Sequence, residues 1–113
     1  MIAVIFEVIP NEGKLDPYLD IAASLKPELE QVDGFISVER FKSLTTEGKY
    51  LSVSFWRDEA ALTAWRNRPH HRSAQHMGRT EMFAGYRLRV AEVTRDYSDT
   101  ERDQAPADAI EIK

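Results

Sequence analysis

The sequence predicts an α+β sandwich in the order β-α-β-β-α-β, and three observations predict it. Four stretches of alternating apolar residues, at 2–9, 35–41, 50–56 and 86–93, are bounded by turn-forming residues and read as strands. Between the first pair and between the last pair, apolar residues recur at spacings of three and four, as on one side of a helix. Between Tyr50 and Trp65 the period changes from two to helical, with Asp58 at the change, so a strand runs straight into a capped helix.

In the first strand Ile2, Val4, Phe6 and Val8 face one way and Ala3, Ile5, Glu7 and Ile9 the other. So little polar character on either face predicts a central position. Pro10-Asn11-Glu12-Gly13 ends it. Leu15, Tyr18, Ala22, Leu25, Leu29 and Val32 then follow helical spacing. Pro17 falls in the first turn, where it is tolerated, whereas Pro27 removes a donor inside the pattern, so a kink or brief break is expected near Lys26. Asp33-Gly34 closes the helix at a residue free to adopt positive φ.

In the second strand Phe35, Ser37, Glu39 and Phe41 oppose Ile36, Val38 and Arg40, and Thr45-Thr46-Glu47-Gly48 turns the chain into the third as a hairpin. There Leu51, Val53 and Phe55 alternate with Ser52, Ser54 and Trp56, which suits a strand covered on both faces. Ala61, Leu62 and Trp65 share one side of the helix that follows. Arg66-Asn67-Arg68-Pro69 breaks it, and Pro69 opens a second short helix, His70 to Met77, with Gly78 as its stop. The last strand sets Tyr86, Leu88 and Val90 against Arg87, Arg89 and Ala91.

This is the ferredoxin-like split βαβ order, a four-stranded antiparallel sheet with helices on one face. Because the strands are apolar on both faces, the uncovered one needs a second copy of the chain, which predicts a homodimer. The folded unit is expected over residues 2–95. Residues 96–113 hold six acids against Arg102 and Lys113 and read as a mobile acidic tail, or as a partner-contacting extension ending Ala109-Ile110-Glu111-Ile112.

With 113 residues, 42% of them hydrophobic and 30% charged, the chain has the make-up of one globular domain. Cysteine is absent, which removes disulfides, thiolate catalysis and iron–sulfur ligation together. No apolar run approaches the roughly 20 residues of a membrane span, and Met1-Ile2-Ala3-Val4 lacks the basic start of a signal peptide, so the cytoplasm is the expected compartment. The net charge of −4 and the lack of a basic run interleaved with aromatics argue against nucleic acid. Residues 57–89 nevertheless carry seven arginines against three acids, an excess that either attracts a small anion or forms a solvated face. The glycines form no phosphate-binding cluster, no Gly-x-Ser-x-Gly elbow occurs, and the three histidines lack a metal-ligand pattern.

Four stretches together resemble the antibiotic biosynthesis monooxygenase family of dimeric α+β barrels. They are Ile2-Ala3-Val4-Ile5-Phe6-Glu7-Val8, Asp33-Gly34-Phe35, Ser54-Phe55-Trp56-Arg57-Asp58-Glu59-Ala60-Ala61, and Ala64-Trp65 followed by His70-His71-Arg72. The resemblance covers residues 2 to about 93. It implies a cofactor-independent oxygenase of small electron-rich aromatics, with no bound metal. A heme-degrading branch makes heme the alternative, and a ligand-binding or stress-associated dimer without catalysis is a third reading. In the heme branch the site is an asparagine on the first strand, a tryptophan ending the helix and a histidine ten residues later. Trp65 matches the tryptophan, whereas the first-strand position falls at or near Phe6 and Gln75 stands ten residues after Trp65, with His76 one step beyond.

A cofactor-free oxygenase needs aromatic walls, a group that titrates near neutrality and donors for an anion. The candidates are Trp56 and Trp65 as walls with Phe6, His70, His71 and His76 as bases, and Arg72, Arg79 and Tyr86 as donors. His71, Trp65 and Arg72 form the expected catalytic set, with His71 favoured as the inward histidine because it shares a helix face with Gln75. Each has a plain structural alternative: Trp65 as core, a histidine solvated at a helix start, Tyr86 packed on a neighbour.

Overall fold

A computed structural model describes residues 1–77 and 81–108, and for His70 the backbone alone. Its elements are β1 (Ile2–Pro10), α1 (Leu15–Glu30), β2 (Phe35–Lys42), β3 (Tyr50–Trp56), α2 (Glu59–Arg66), α3 (Pro69–Met77) and β4 (Phe83–Glu92). The sheet runs β2-β3-β1-β4, antiparallel throughout, with β1 central. The expected order, hairpin and central first strand are all present. No helix among the described residues is long and apolar enough to cross a membrane.

Two bulges reset the faces that simple alternation assigned. Phe35 pairs with Trp56 but Ser37 with Phe55, so Ile36 is an extra residue and Phe35 shares a face with Val38 and Arg40, not with Ser37. Its ring lies edge-on to Trp56 at 5.3 Å. Likewise Ile9 pairs with Gly85 and Pro10 with Phe83, which leaves Ala84 unpaired and turns Phe83 to the helix side. The last strand thus begins three residues earlier than the alternation from Tyr86 indicated.

The helices keep the expected signals with one exception. Pro27 lies inside α1, which is assigned as one helix, without the brief break allowed for near Lys26. Asp58 caps α2 as expected, its Oδ1 accepting the Ala61 N–H at 2.9 Å, and this bond holds its carboxyl below the usual carboxylate range with help from Arg57. Pro69 opens α3. The expected stop at Gly78 lies outside the described residues.

One clamp joins the end of α1 to the start of α2. Arg57 donates to both carboxylate oxygens of Asp33, at 3.2 and 3.3 Å, and its backbone N–H meets the Gly34 carbonyl at 2.7 Å. Gly34 has φ +94°, and a Cβ there would stand 2.7 Å from the Ala61 Cβ. Only glycine lets the two segments approach so closely.

The main core lies between the helices and one face of the sheet. Ile2, Val4, Leu29, Val32, Trp56, Ala61 and Trp65 form it, and Trp56 is 1% exposed. A second cluster of Val8, Tyr18 and Met82 fills the other end. Beyond Glu92 the described chain bonds mainly to itself: Ser98 Oγ accepts the Thr100 and Glu101 N–H groups, Gln104 accepts from Asp96 N–H, and Arg102 lies over the Tyr97 ring.

Candidate functional site

The helix-facing side of the sheet carries a half-open cavity of about 240 Å³ between the two core clusters. Val38 and Arg40 of β2, Ser52, Ser54 and Trp56 of β3, Val4 and Phe6 of β1 and Leu88 and Val90 of β4 make its floor. Tyr18, Ile21, Ala22, Leu25 and Leu29 of α1 roof one side, and Leu62, Trp65 and Arg66 of α2 with His71, Ala74 and Gln75 of α3 the other. The space follows from residue size: Ser52 and Ser54 stand where larger side chains would reach α1 and fill it. Ser54 has a second task, accepting the indole N–H of the buried Trp56 at 2.9 Å.

His71 and Trp65 form the chemically distinctive wall. Their rings lie 4.6 Å apart, tilted by 32°. Burial pushes the His71 pKa below its ordinary value; a hydrogen bond to the Arg66 backbone opposes that, and the Arg66 charge adds to it. His71 Nδ1 is sealed from solvent and has no hydrogen-bond partner. At the opposite end Phe6, Phe83, Tyr18 and Tyr86 form an aromatic group with centroid separations of 5.5 to 6.0 Å.

Of the residues singled out in the sequence, Phe6, Trp56, Trp65 and His71 line the cavity. Tyr86 is 50% exposed and touches the aromatic group from outside the lining. Arg72 and His76 do not line it: His71, Ala74 and Gln75 point inward from α3, and positions one step further turn about 100° away. Arg72 instead donates to Asn67 Oδ1. Arg79 lies outside the described residues, as does the side chain of His70. Sequence reasoning missed Arg40, Ser52, Arg66 and Gln75 as lining. For Ser52 a signal existed, since serines opposite Leu51, Val53 and Phe55 mark the face that needs room.

Residues 1–77 match the family model described as antibiotic biosynthesis monooxygenase. The chain belongs to the antibiotic biosynthesis monooxygenase family. It is 48% identical over 101 residues to the "Jasmonate monooxygenase ABM" of Pyricularia oryzae, covering 89% of this chain and 47% of that protein. The chain therefore spans about half the length of this curated relative. Among solved structures, Rv0793 from Mycobacterium tuberculosis matches with a TM-score of 0.76 at 18% identity, over 86% of this chain and 98% of that one. SnoaB, a cofactor-independent oxygenase from Streptomyces nogalater, matches with a TM-score of 0.72 at 10% identity, over 84% and 94%. These two likenesses establish the shared family fold.

The family's heme-degrading branch provides a test of fit. Gln75 and Phe6 both line the cavity, so the positions that would carry a ligand imidazole and an asparagine offer a neutral amide and a hydrocarbon ring. His76, one step beyond Gln75, is exposed and lies off the lining. The residues present do not fit that group.

Proposed function

We propose that this family member is a cofactor-independent monooxygenase that works as a homodimer and oxidises a small electron-rich aromatic, of the phenol or hydroquinone type, in the cavity between sheet and helices. The observation that carries the reading is His71, held neutral by burial and stacked on Trp65 at the wall of a largely apolar chamber. A volume of about 240 Å³ suits a small ring system, since drug-sized ligands occupy roughly 300–1,000 Å³.

The chemistry balances without a further reductant. His71 takes the phenolic proton, and the phenolate gives one electron to dioxygen. The radical pair closes a C–O bond, and His71 returns the proton to make a hydroperoxide. Loss of water, with the hydrogen on the same carbon, then leaves a carbonyl. One oxygen atom ends in the quinone and the other in water, and the substrate supplies all four electrons. Excluding bulk water protects the intermediates, and the apolar walls favour that exclusion.

The outer face of the sheet supports the dimer. Ala3, Ile5, Leu51, Val53 and Phe55 are paired neighbours on that side, opposite the face on which the described helices pack. Glu7 stands beside them, bonded to Arg89 at 3.1 Å and Lys49 at 3.2 Å, which together hold its carboxyl below the usual range.

Oxygen uptake with a panel of hydroquinones tests the reading. Turnover should give one quinone per dioxygen without free peroxide and should fall by about 10²–10⁴-fold in His71→Asn, the span of one general base. Saturable binding without uptake would instead favour a non-catalytic ligand-binding dimer.

A further inference from the structure

Arg40 is the feature of the cavity that the reaction above leaves unused. It lies on the edge strand β2, directly across from Ser52 in the strand pairing, and both side chains line the cavity floor. Among the described residues Arg40 has no ion pair and no side-chain hydrogen bond. Arg57 and Arg89, by contrast, are bonded to carboxylates, and Arg66 reaches Thr63. An unpaired arginine set across the strand pair from a serine, among walls that are otherwise mostly apolar, is placed to receive an anion from a ligand in the cavity.

The cavity gives such a ligand its length. Its floor includes side chains from all four strands, from Arg40 on β2 to Leu88 and Val90 on β4, which is three interstrand gaps or about 14 Å at ~4.8 Å each. At the β4 end Leu88 and Val90 offer only hydrocarbon. We infer that the substrate is an electron-rich aromatic that also carries one carboxylate, whose anionic head is held by Arg40 and Ser52 at the β2 edge while its ring lies across β3 and β1 with its apolar end toward β4. This deepens the proposed monooxygenase and rests on the same cavity. Arg40 is then a specificity-determining residue: it selects the acid over its neutral analogue and fixes which carbon of the body lies near His71.

The test is binding, so it reads independently of turnover. Trp56 and Trp65 line the cavity, and quenching of their fluorescence reports occupancy by phenylhexanoate or by the neutral phenylhexanol. The wild-type chain should bind the acid about tenfold to a hundredfold more tightly than the alcohol, the span of a hydrogen bond to a charged partner. Arg40→Gln should abolish that difference by weakening the acid alone, Arg40→Lys should restore part of it, and added salt should shrink it in the wild type. An unchanged melting temperature in both variants, expected for an exposed side chain, shows that they fold. Equal binding of acid and alcohol by the wild type, no binding of either, or equal weakening of both by Arg40→Gln overturns the inference. An acid preference that disappears in Arg40→Gln while no hydroquinone is oxidised leaves this inference standing and removes the monooxygenase reading instead.

Discussion

The two faces of the sheet are built from the same strands by opposite rules. On the helix side β3 presents Ser52 and Ser54 beside Trp56, and the resulting space is a chamber. On the outer side the same strand presents Leu51, Val53 and Phe55 against Ala3 and Ile5, while Glu7 with its two cations, Ser37, Glu39 and Arg87 supply the polarity around them. A lone chain gains more by putting its larger apolar residues under its helices than by turning them to water. The reversal makes sense when the inner face is reserved for a ligand and the outer face for a second copy.

The largest expected effects set Trp56 against its neighbour Phe55. Trp56→Ala removes the most buried large side chain and should cost about 3–5 kcal/mol in urea unfolding, independent of protein concentration. Phe55→Ala should cost less, and its cost should shrink as the protein is diluted, because the part of that ring's contribution made between copies is lost from wild type and variant alike once they separate. A concentration-independent loss at Phe55 would break the comparison. Next comes Ser54→Ala, which strands the buried Trp56 indole N–H and should cost about 1–3 kcal/mol although it removes a single oxygen.

These positions also show what the sequence made legible. Alternation and helical spacing were enough for element order and for the central place of β1, because one buried face per element imposes those periods. Asp58 and Pro69 were legible because caps act within a few residues. The bulges at Ile36 and Ala84 were not, since an extra residue in one strand is visible only against its partner. His71 as the inward histidine followed from its helix face shared with Gln75. Arg40 did not, because the face it occupies depends on the bulge upstream and its lack of a partner on the whole fold. The Asp33–Arg57 clamp, 24 residues apart, was likewise invisible to local pattern.

Acidification should sharpen the account of the inner face. The pKa of His71 is lowered on folding, so the folded state takes up its proton less readily than the unfolded chain. Its neutral ring is fully accommodated above the unfolded value of 6.5, and stability is lost as pH falls from there toward the depressed folded value. His71→Gln should flatten that acid limb of the unfolding curve, and hydroquinone oxidation in the wild type should decline over the same limb. The smallest effect is expected at Glu7→Gln. In the separated subunit this outer network is solvated and should contribute little, and what it contributes there should vanish in high salt.

Ser52 and Val53 are adjacent in β3 and lie on opposite faces, so the same substitution at each separates the two roles. Sedimentation velocity at micromolar concentration should show Val53→Asp as a folded single subunit, while Ser52→Asp and the wild-type chain sediment as two copies. A wild-type chain that sediments as one well-folded subunit, or a Ser52→Asp chain that dissociates as Val53→Asp does, would contradict the assignment of the outer face to a partner and the inner face to a ligand.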